Sequence, residues 1–262
     1  MNNADDLLRA GDLDGARSAL VEIVRSSPQD TRARMFLFQL FAVLGEWQKA
    51  RLQLATLAQL SAEAQMLSVA YGQAMDAEAQ RADALEGKIP VIVHGQASAW
   101  ADDLAQAIGC LARGDITQGE DLRATAFDNA PDTPGHLNDT QFEWIADSDS
   151  RFGPTCEAII AGRWGILPFD QIERIESTGI RDLRDLVWYP VQIAFRSGQS
   201  IAAMLPGRYP ATERHGQPTE KLARATRWVE SSAGEHGVGQ HLLSLSGGEE
   251  VGLLSLRSLV FD

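Results

Sequence analysis

The chain has 262 residues, 44% of them hydrophobic and 23% charged, an ordinary globular balance that excludes wholesale disorder. Lys and Arg number 23 against 36 Asp and Glu, a net charge of −13, and no basic stripe is present to neutralise phosphates; general binding to nucleic acid or to an anionic membrane is excluded. No apolar run approaches the roughly 20 residues that span a bilayer, and the opening MNNADDLLRA lacks the basic region of a secretory signal. Two isolated cysteines, Cys110 and Cys156, fit a reducing compartment, so the cytoplasm is the expected location.

Through residue 130 the chain is rich in Ala and Leu with helical periodicity. Gly11-Asp-Leu13-x-x-Ala16-x-x-x-Leu20-x-x-Ile23 recurs 34 residues later as Gly45-Glu-Trp47-x-x-Ala50-x-x-x-Leu54-x-x-Leu57, the period of tetratricopeptide repeats. The pattern has a physical basis: the Gly ends one helix, and the small Ala lets the next approach it closely. The spaced Leu and Ile form the apolar stripe. Pro28 cannot continue a helix and closes the first hairpin. The same register puts Leu37, Phe38 and Phe41, then Tyr71, Gly72 and Met75, on inward faces. A third repeat starts but is interrupted by GKIPVIVHGQ (87–96); a weaker echo follows at Gly114-Asp-Ile116-x-x-Gly119.

The segment NAPDTPGHLND (129–139) reads as a linker, which divides the chain into a helical-repeat domain at 1–130 and a β-rich domain at 140–262. Beyond it come short β-prone runs: CEAII (156–160), VQIAF (191–195), SIAAM (200–204), EVGLLSL (250–256) and SLVF (258–261). The glycines of SLSGGEEVG mark a hairpin turn. The fold class is α+β, tetratricopeptide-like hairpins followed by either a small barrel or an open antiparallel sheet, with the short strands and Gly/Pro turns favouring the barrel.

Catalytic and metal motifs are sparse. The chain has no phosphate-binding glycine loop, HExxH, GxSxG or CxxC, so no cofactor and no metal are expected. His236 and His241 are near in sequence but read as unrelated residues around a Gly-rich turn, and Cys156 as a buried small hydrophobe. Asp147, Asp149 and Arg151 in ADSDSR are read as an Asx turn tied by the arginine. The competing reading makes these three, with Trp164, the site of a hydrolase or transferase, which would need a deep pocket and a carboxylate of raised pKa. Trp144, Trp164, Trp188 and Trp228 read as core or interface anchors.

A binding scaffold is the better fit, and the repeat register locates its face. Steps of three and four residues place Arg32, Met35, Gln39 and Ala42 on one side of a helix, and Met66, Val69, Gln73 and Asp76 one period later. Met35, Met66 and Val69 are expected to form an apolar strip suited to a partner helix, flanked by Arg32, Gln39 and Gln73. The alternative is that the incomplete third hairpin, or the second domain, folds into this groove and buries those residues.

One stretch is specific enough to carry a family resemblance. FEWIADSDSRFGPTCEAIIAGRWGILPF (142–169), with IERIE (172–176), RDLRDLVWYP (181–190), LPGRYPATE (205–213), GVGQHLL (237–243) and the opening LLRAGDLDGAR (7–17), resembles the ImpE/TagJ family of type VI secretion accessory proteins. Gly207 and Ala211-Thr212 depart from the family pattern in one loop. The resemblance implies a cytoplasmic, non-enzymatic protein that associates with the small sheath subunit, TssB or VipA, and so influences recycling of sheath by the ClpV ATPase.

Overall fold

The structure, a computed structural model, describes residues 2–231 and 234–262. Seven helices open the chain: α1 (Asn2–Arg9), α2 (Leu13–Ser26), α3 (Thr31–Val43), α4 (Trp47–Leu60), α5 (Ala62–Leu85), α6 (Ala99–Arg113) and α7 (Ile116–Asn129). The recurring glycines do what the repeat requires. Gly11, Gly45 and Gly114 each follow an opening helix in the left-handed region, with φ of +82°, +71° and +86°, a conformation that reverses the chain without a Cβ penalty. Ala16 and Ala50 are wholly buried at the helix crossings. The echo at 114–119 is a true hairpin: α6 and α7 approach so closely that a Cβ on Gly119 would lie 2.6 Å from the Leu111 side chain. Leu37, Phe38, Phe41, Tyr71, Gly72 and Met75 are buried as the register predicts.

Helix α5 has no repeat partner after it. Residues 87–96 instead leave the bundle and run along a sheet edge, where Val93 bridges Ile166 in parallel and His94 N–H donates to Ile166 O at 2.8 Å. The stretch expected to be a linker holds the first strand. Thirteen strands follow among the described residues: β1 (Gly135–Leu137), β2 (Thr140–Phe142), β3 (Ile145–Asp147), β4 (Thr155–Ile160), β5 (Arg163–Pro168), β6 (Ile172–Glu176), β7 (Trp188–Phe195), β8 (Ser200–Pro206), β9 (Thr226–Ser231), β10 (Gly234–Gly239), β11 (Leu242–Leu245), β12 (Glu250–Gly252) and β13 (Ser258–Phe261). Two short helices, α8 (Thr212–His215) and α9 (Pro218–Lys221), lie between β8 and β9.

The main sheet is antiparallel, in the order β2-β1-β13-β6-β7-β8-β4-β5, and it is open, which corrects the preference for a barrel. The physical reason is that both faces are covered and the β5 edge is sealed by residues 92–94, so closure is not needed to hide the strands. On one face Ile159, Trp164, Val187 and Trp188 join the cluster of Leu37, Phe38, Tyr71 and Met75 from the helices. On the other, Tyr189, Ile193 and Leu205 pack with Leu243 and Leu245 of the small sheet β12-β11-β3. Alternation along β7 places neighbouring Trp188 and Tyr189 in different cores. A third cluster seats the α6–α7 hairpin, with Trp100, Leu104 and Ile108 against Phe152, Ile166 and Tyr209.

Candidate functional site

The expected partner face can be followed residue by residue. Arg32, Met35 and Gln39 of α3 line a groove of about 560 Å³ with apolar walls that include Leu8, Phe36 and Leu67 and a rim that includes Asp5 and Glu63. The far wall is built by the second half of the chain. Residues 181–186 form a tight turn in which the Asp185 carboxylate accepts from the N–H groups of Arg181 and Asp182 at 2.8 and 2.9 Å. That turn presents Leu183, whose N–H donates to Gln39 Oε1 at 3.0 Å. Arg184, paired with Asp182, lies over the Tyr71 ring at 4.8 Å and beside Met35 Sδ at 3.6 Å. Gln39 is therefore buried and engaged within the molecule, and the second half occupies one side of the groove.

The strip expected from the register is only partly assembled. Met66 is 78% and Val69 64% exposed, both outside the groove, whose α5 wall is Ala64 and Leu67 instead. The reason is geometric. Ala64, Leu67, Tyr71 and Met75 repeat at steps of three and four and share the inward face, while Met66 and Val69 sit about 100° or more around the helix. The matching flank of α3 meets residues 181–183, whereas on α5 Gln73 packs against the β4–β5 turn, 3.0 Å from where a Gly162 Cβ would stand. Ala42 is buried, and Asp76 pairs with Arg51 at 2.6 Å.

The second candidate, around Asp147, Asp149 and Arg151, is a seam of buried charge. The Asx turn is present: Asp149 N–H donates to Asp147 Oδ1 at 2.8 Å, and Arg151 holds Asp149 through Nε and Nη2 at 2.9 and 2.6 Å. Beyond the turn lies a chain that sequence reading missed. His241 Nδ1 stands 2.6 Å from Asp147 Oδ2 and its Nε2 2.9 Å from Glu157 Oε2. Glu157 Oε1 accepts from Trp164 Nε1 at 2.8 Å and from Arg81 Nε of α5 at 2.7 Å. Tyr209 O–H donates to Asp147 Oδ1 at 2.9 Å and its ring lies 4.0 Å from the His241 ring. Trp188 Nε1 donates to Glu78 at 3.1 Å.

Burial would depress His241, but Asp147 and Glu157 on either side hold it cationic, with its pKa pushed up to about 9. Burial would raise Glu157, but Arg81 and His241 bring it down to about 2. Arg81, Asp147, Glu157, Tyr209 and His241 are all buried, on α5, β3, β4, the segment after β8 and the residue before β11. Such an arrangement fixes the helices on the sheet. Cys156, buried beside it, has its thiol pKa raised by desolvation, consistent with a packing role. The signal that could have revealed the seam was the presence of Glu78 and Arg81 within an Ala-rich inward stripe; their partners lie 76 and 110 residues away.

Among the described residues no group of three or more His, Cys, Asp or Glu is arranged to hold a metal ion, and no helix is long and apolar enough to cross a membrane. Comparison with known proteins gives a consistent result. The tetratricopeptide repeat model matches residues 7–70 and the ImpE protein model residues 139–260. A crystal structure of a Vibrio parahaemolyticus protein superposes with a TM-score of 0.86 over 99% of this chain and 97% of that one at 21% identity, a likeness of fold. The type VI secretion system accessory component TagJ of Pseudomonas aeruginosa is 40% identical over 259 residues, 99% of this chain and 91% of its own. The repeats at one end, the ImpE region at the other, and identity that runs through both place the chain in the ImpE/TagJ family.

Proposed function

We propose that the chain is a cytoplasmic, non-enzymatic accessory component of type VI secretion that binds the small sheath subunit, TssB or VipA, and thereby modulates sheath assembly or ClpV-dependent recycling. The full-length similarity to TagJ supports the accessory role. The α3 groove carries the binding reading: it is apolar within, charged at the rim and walled by two parts of the chain, the form that receives one face of a helix. Arg32 and Met35 line it. Met66 and Val69 extend the contact along the outer side of α5, and Gln39 and Gln73 secure the walls through Leu183 and the β4–β5 turn. Burial raises the pKa of Asp147, as the alternative hydrolase or transferase site would require, but Asp147 and Asp149 are occupied by His241, Tyr209, Arg151 and backbone N–H groups, which supports a structural role for them.

The test is a binding measurement between the purified chain and the purified small sheath subunit. A Met35→Glu/Val69→Glu variant is expected to lose binding with its melting temperature nearly unchanged. Undiminished binding by the folded variant would move the site off this face.

A further inference from the structure

A cleft of about 860 Å³ lies elsewhere, between the C-terminal half of α5 and the β9–β10 hairpin. Its lining runs against the chemistry of the chain. Five Arg and Lys face four Asp and Glu there, with His215 and His236 besides, in a protein with 23 basic and 36 acidic residues. The acids of the α5 wall are answered locally: Lys88 pairs with Asp83 at 3.2 Å and Glu86 at 2.6 Å, and Arg214 with Glu86 and Glu213, each at 3.4 Å.

The opposite wall is different. Register pairs His236 with Val229 and Val238 with Arg227, so these four side chains share one face of the hairpin, and all four line the cleft. Arg151 stands beside them; burial first, and then the charge of Arg151, lowers the pKa of His236 and favours its neutral imidazole. Both arginines are braced from behind. Arg151 uses Nε and Nη2 on Asp149, which is wholly buried and also accepts from Gly237 N–H at 2.9 Å. Arg227 uses Nε and Nη2 on Glu220, which is 5% exposed and also accepts from Gln217 N–H at 2.7 Å. Neither Asp149 nor Glu220 lines the cleft. Among the described residues, Nη1 of each arginine and both imidazoles have no hydrogen-bond partner. The two guanidiniums are thus held in place at the edge of a cleft whose own carboxylates Asp83, Glu86 and Glu213 are already paired with Lys88 and Arg214. The rest of the lining includes Leu44, Trp47, Val229 and Val238, so an apolar side chain is also accommodated.

We propose that this cleft is a second binding site, distinct from the α3 groove, that takes an acidic peptide segment with an apolar residue next to its carboxylates. A lone phosphate would leave the apolar part of the cleft unfilled. A polyphosphate chain would meet the repulsion of a −13 molecule over a long path, whereas a short segment meets mainly the local cationic wall.

Fluorescence anisotropy of a labelled peptide of alternating Glu and Leu, at about 0.15 M salt, tests this, with an alternating Lys and Leu peptide as control. Saturable binding of the acidic peptide alone is expected. His236→Glu places a carboxylate beside Arg151 and Arg227 and should weaken it at least about tenfold, and His215→Ala/His236→Ala by less, both with melting temperatures preserved. Met35→Glu/Val69→Glu should leave it unchanged, so failure of this site and failure of the sheath-binding groove are read separately. Absence of saturable binding, equal binding of the basic peptide, or an unaffected folded His236→Glu variant would overturn the proposal. So would full displacement by equimolar inorganic phosphate, which would indicate a simple anion hole.

Discussion

The two ends of α5 are built from similar residues and meet opposite surroundings. From Tyr71 to Ala84 the helix lies on the sheet, and even Glu78 and Arg81 are buried there. From Ala62 to Ala70 it projects beyond the sheet with α4 alongside, and Met66 and Val69 stand in solvent. Hydrophobic character does not decide the difference. Neighbours do: Trp188, Trp164 and Glu157 satisfy the charged end, while the broken third repeat leaves the apolar end without a covering helix.

The comparison is broken most severely at Arg81. Arg81→Ala leaves Glu157 and Glu78 as buried carboxylates without their guanidinium and should cost about 3–5 kcal/mol, measured by urea unfolding at neutral pH. Alkaline pH attacks the same seam more gently. His241 titrates near 9 in the folded chain against an ordinary 6.5, so its stabilisation is complete below about 6.5 and is lost as pH rises through 9. The shift corresponds to about 3 kcal/mol, and unfolding free energies measured between pH 6 and 10 should fall by about that amount. His241→Gln should flatten the profile while lowering stability at pH 6.

A third change probes the repeat stack that carries α5. Ala50→Leu inserts a branched side chain where no surface is exposed and should cost about 1–3 kcal/mol in thermal unfolding. At the free end of α5 the effect should nearly vanish: Met66→Glu/Val69→Glu is expected to change stability by less than about 0.5 kcal/mol. A large loss there would mean that the exposed end is held by contacts the fold does not display.

Much of the scaffold is legible locally. Gly11, Gly45 and Gly114 announce their turns because left-handed backbone is cheapest for glycine, and Ala16, Ala50 and Gly119 announce close helix crossings. The runs at 156–160, 191–195, 200–204 and 258–261 became β4, β7, β8 and β13, since β-branched and aromatic residues fit a pleated buried surface. The run EVGLLSL did so only in part, turning after Gly252 at Leu253–Ser255. Strands β9 and β10 were invisible, because polar TRWVES and glycine-rich GEHGVG carry no apolar alternation. The Asx turn at Asp147–Arg151 was legible for the same reason as the glycines: its bonds span two residues.

The sequence by itself determined the repeat, the helix crossings, four of the eight strands of the main sheet and the family, all of which rest on short spacings or on long runs of matched residues. Tertiary structure alone decided that the sheet stays open, that Gln39 meets Leu183, and that Met66 and Val69 lie outside the groove. It alone joined Arg81, Glu157, His241 and Asp147 into one chain of charge. Periodicity reports which side of a helix is apolar and nothing about what lies opposite. Pairing between residues 76 or 94 positions apart is fixed by how the layers close on one another, and a single sequence carries no local trace of that.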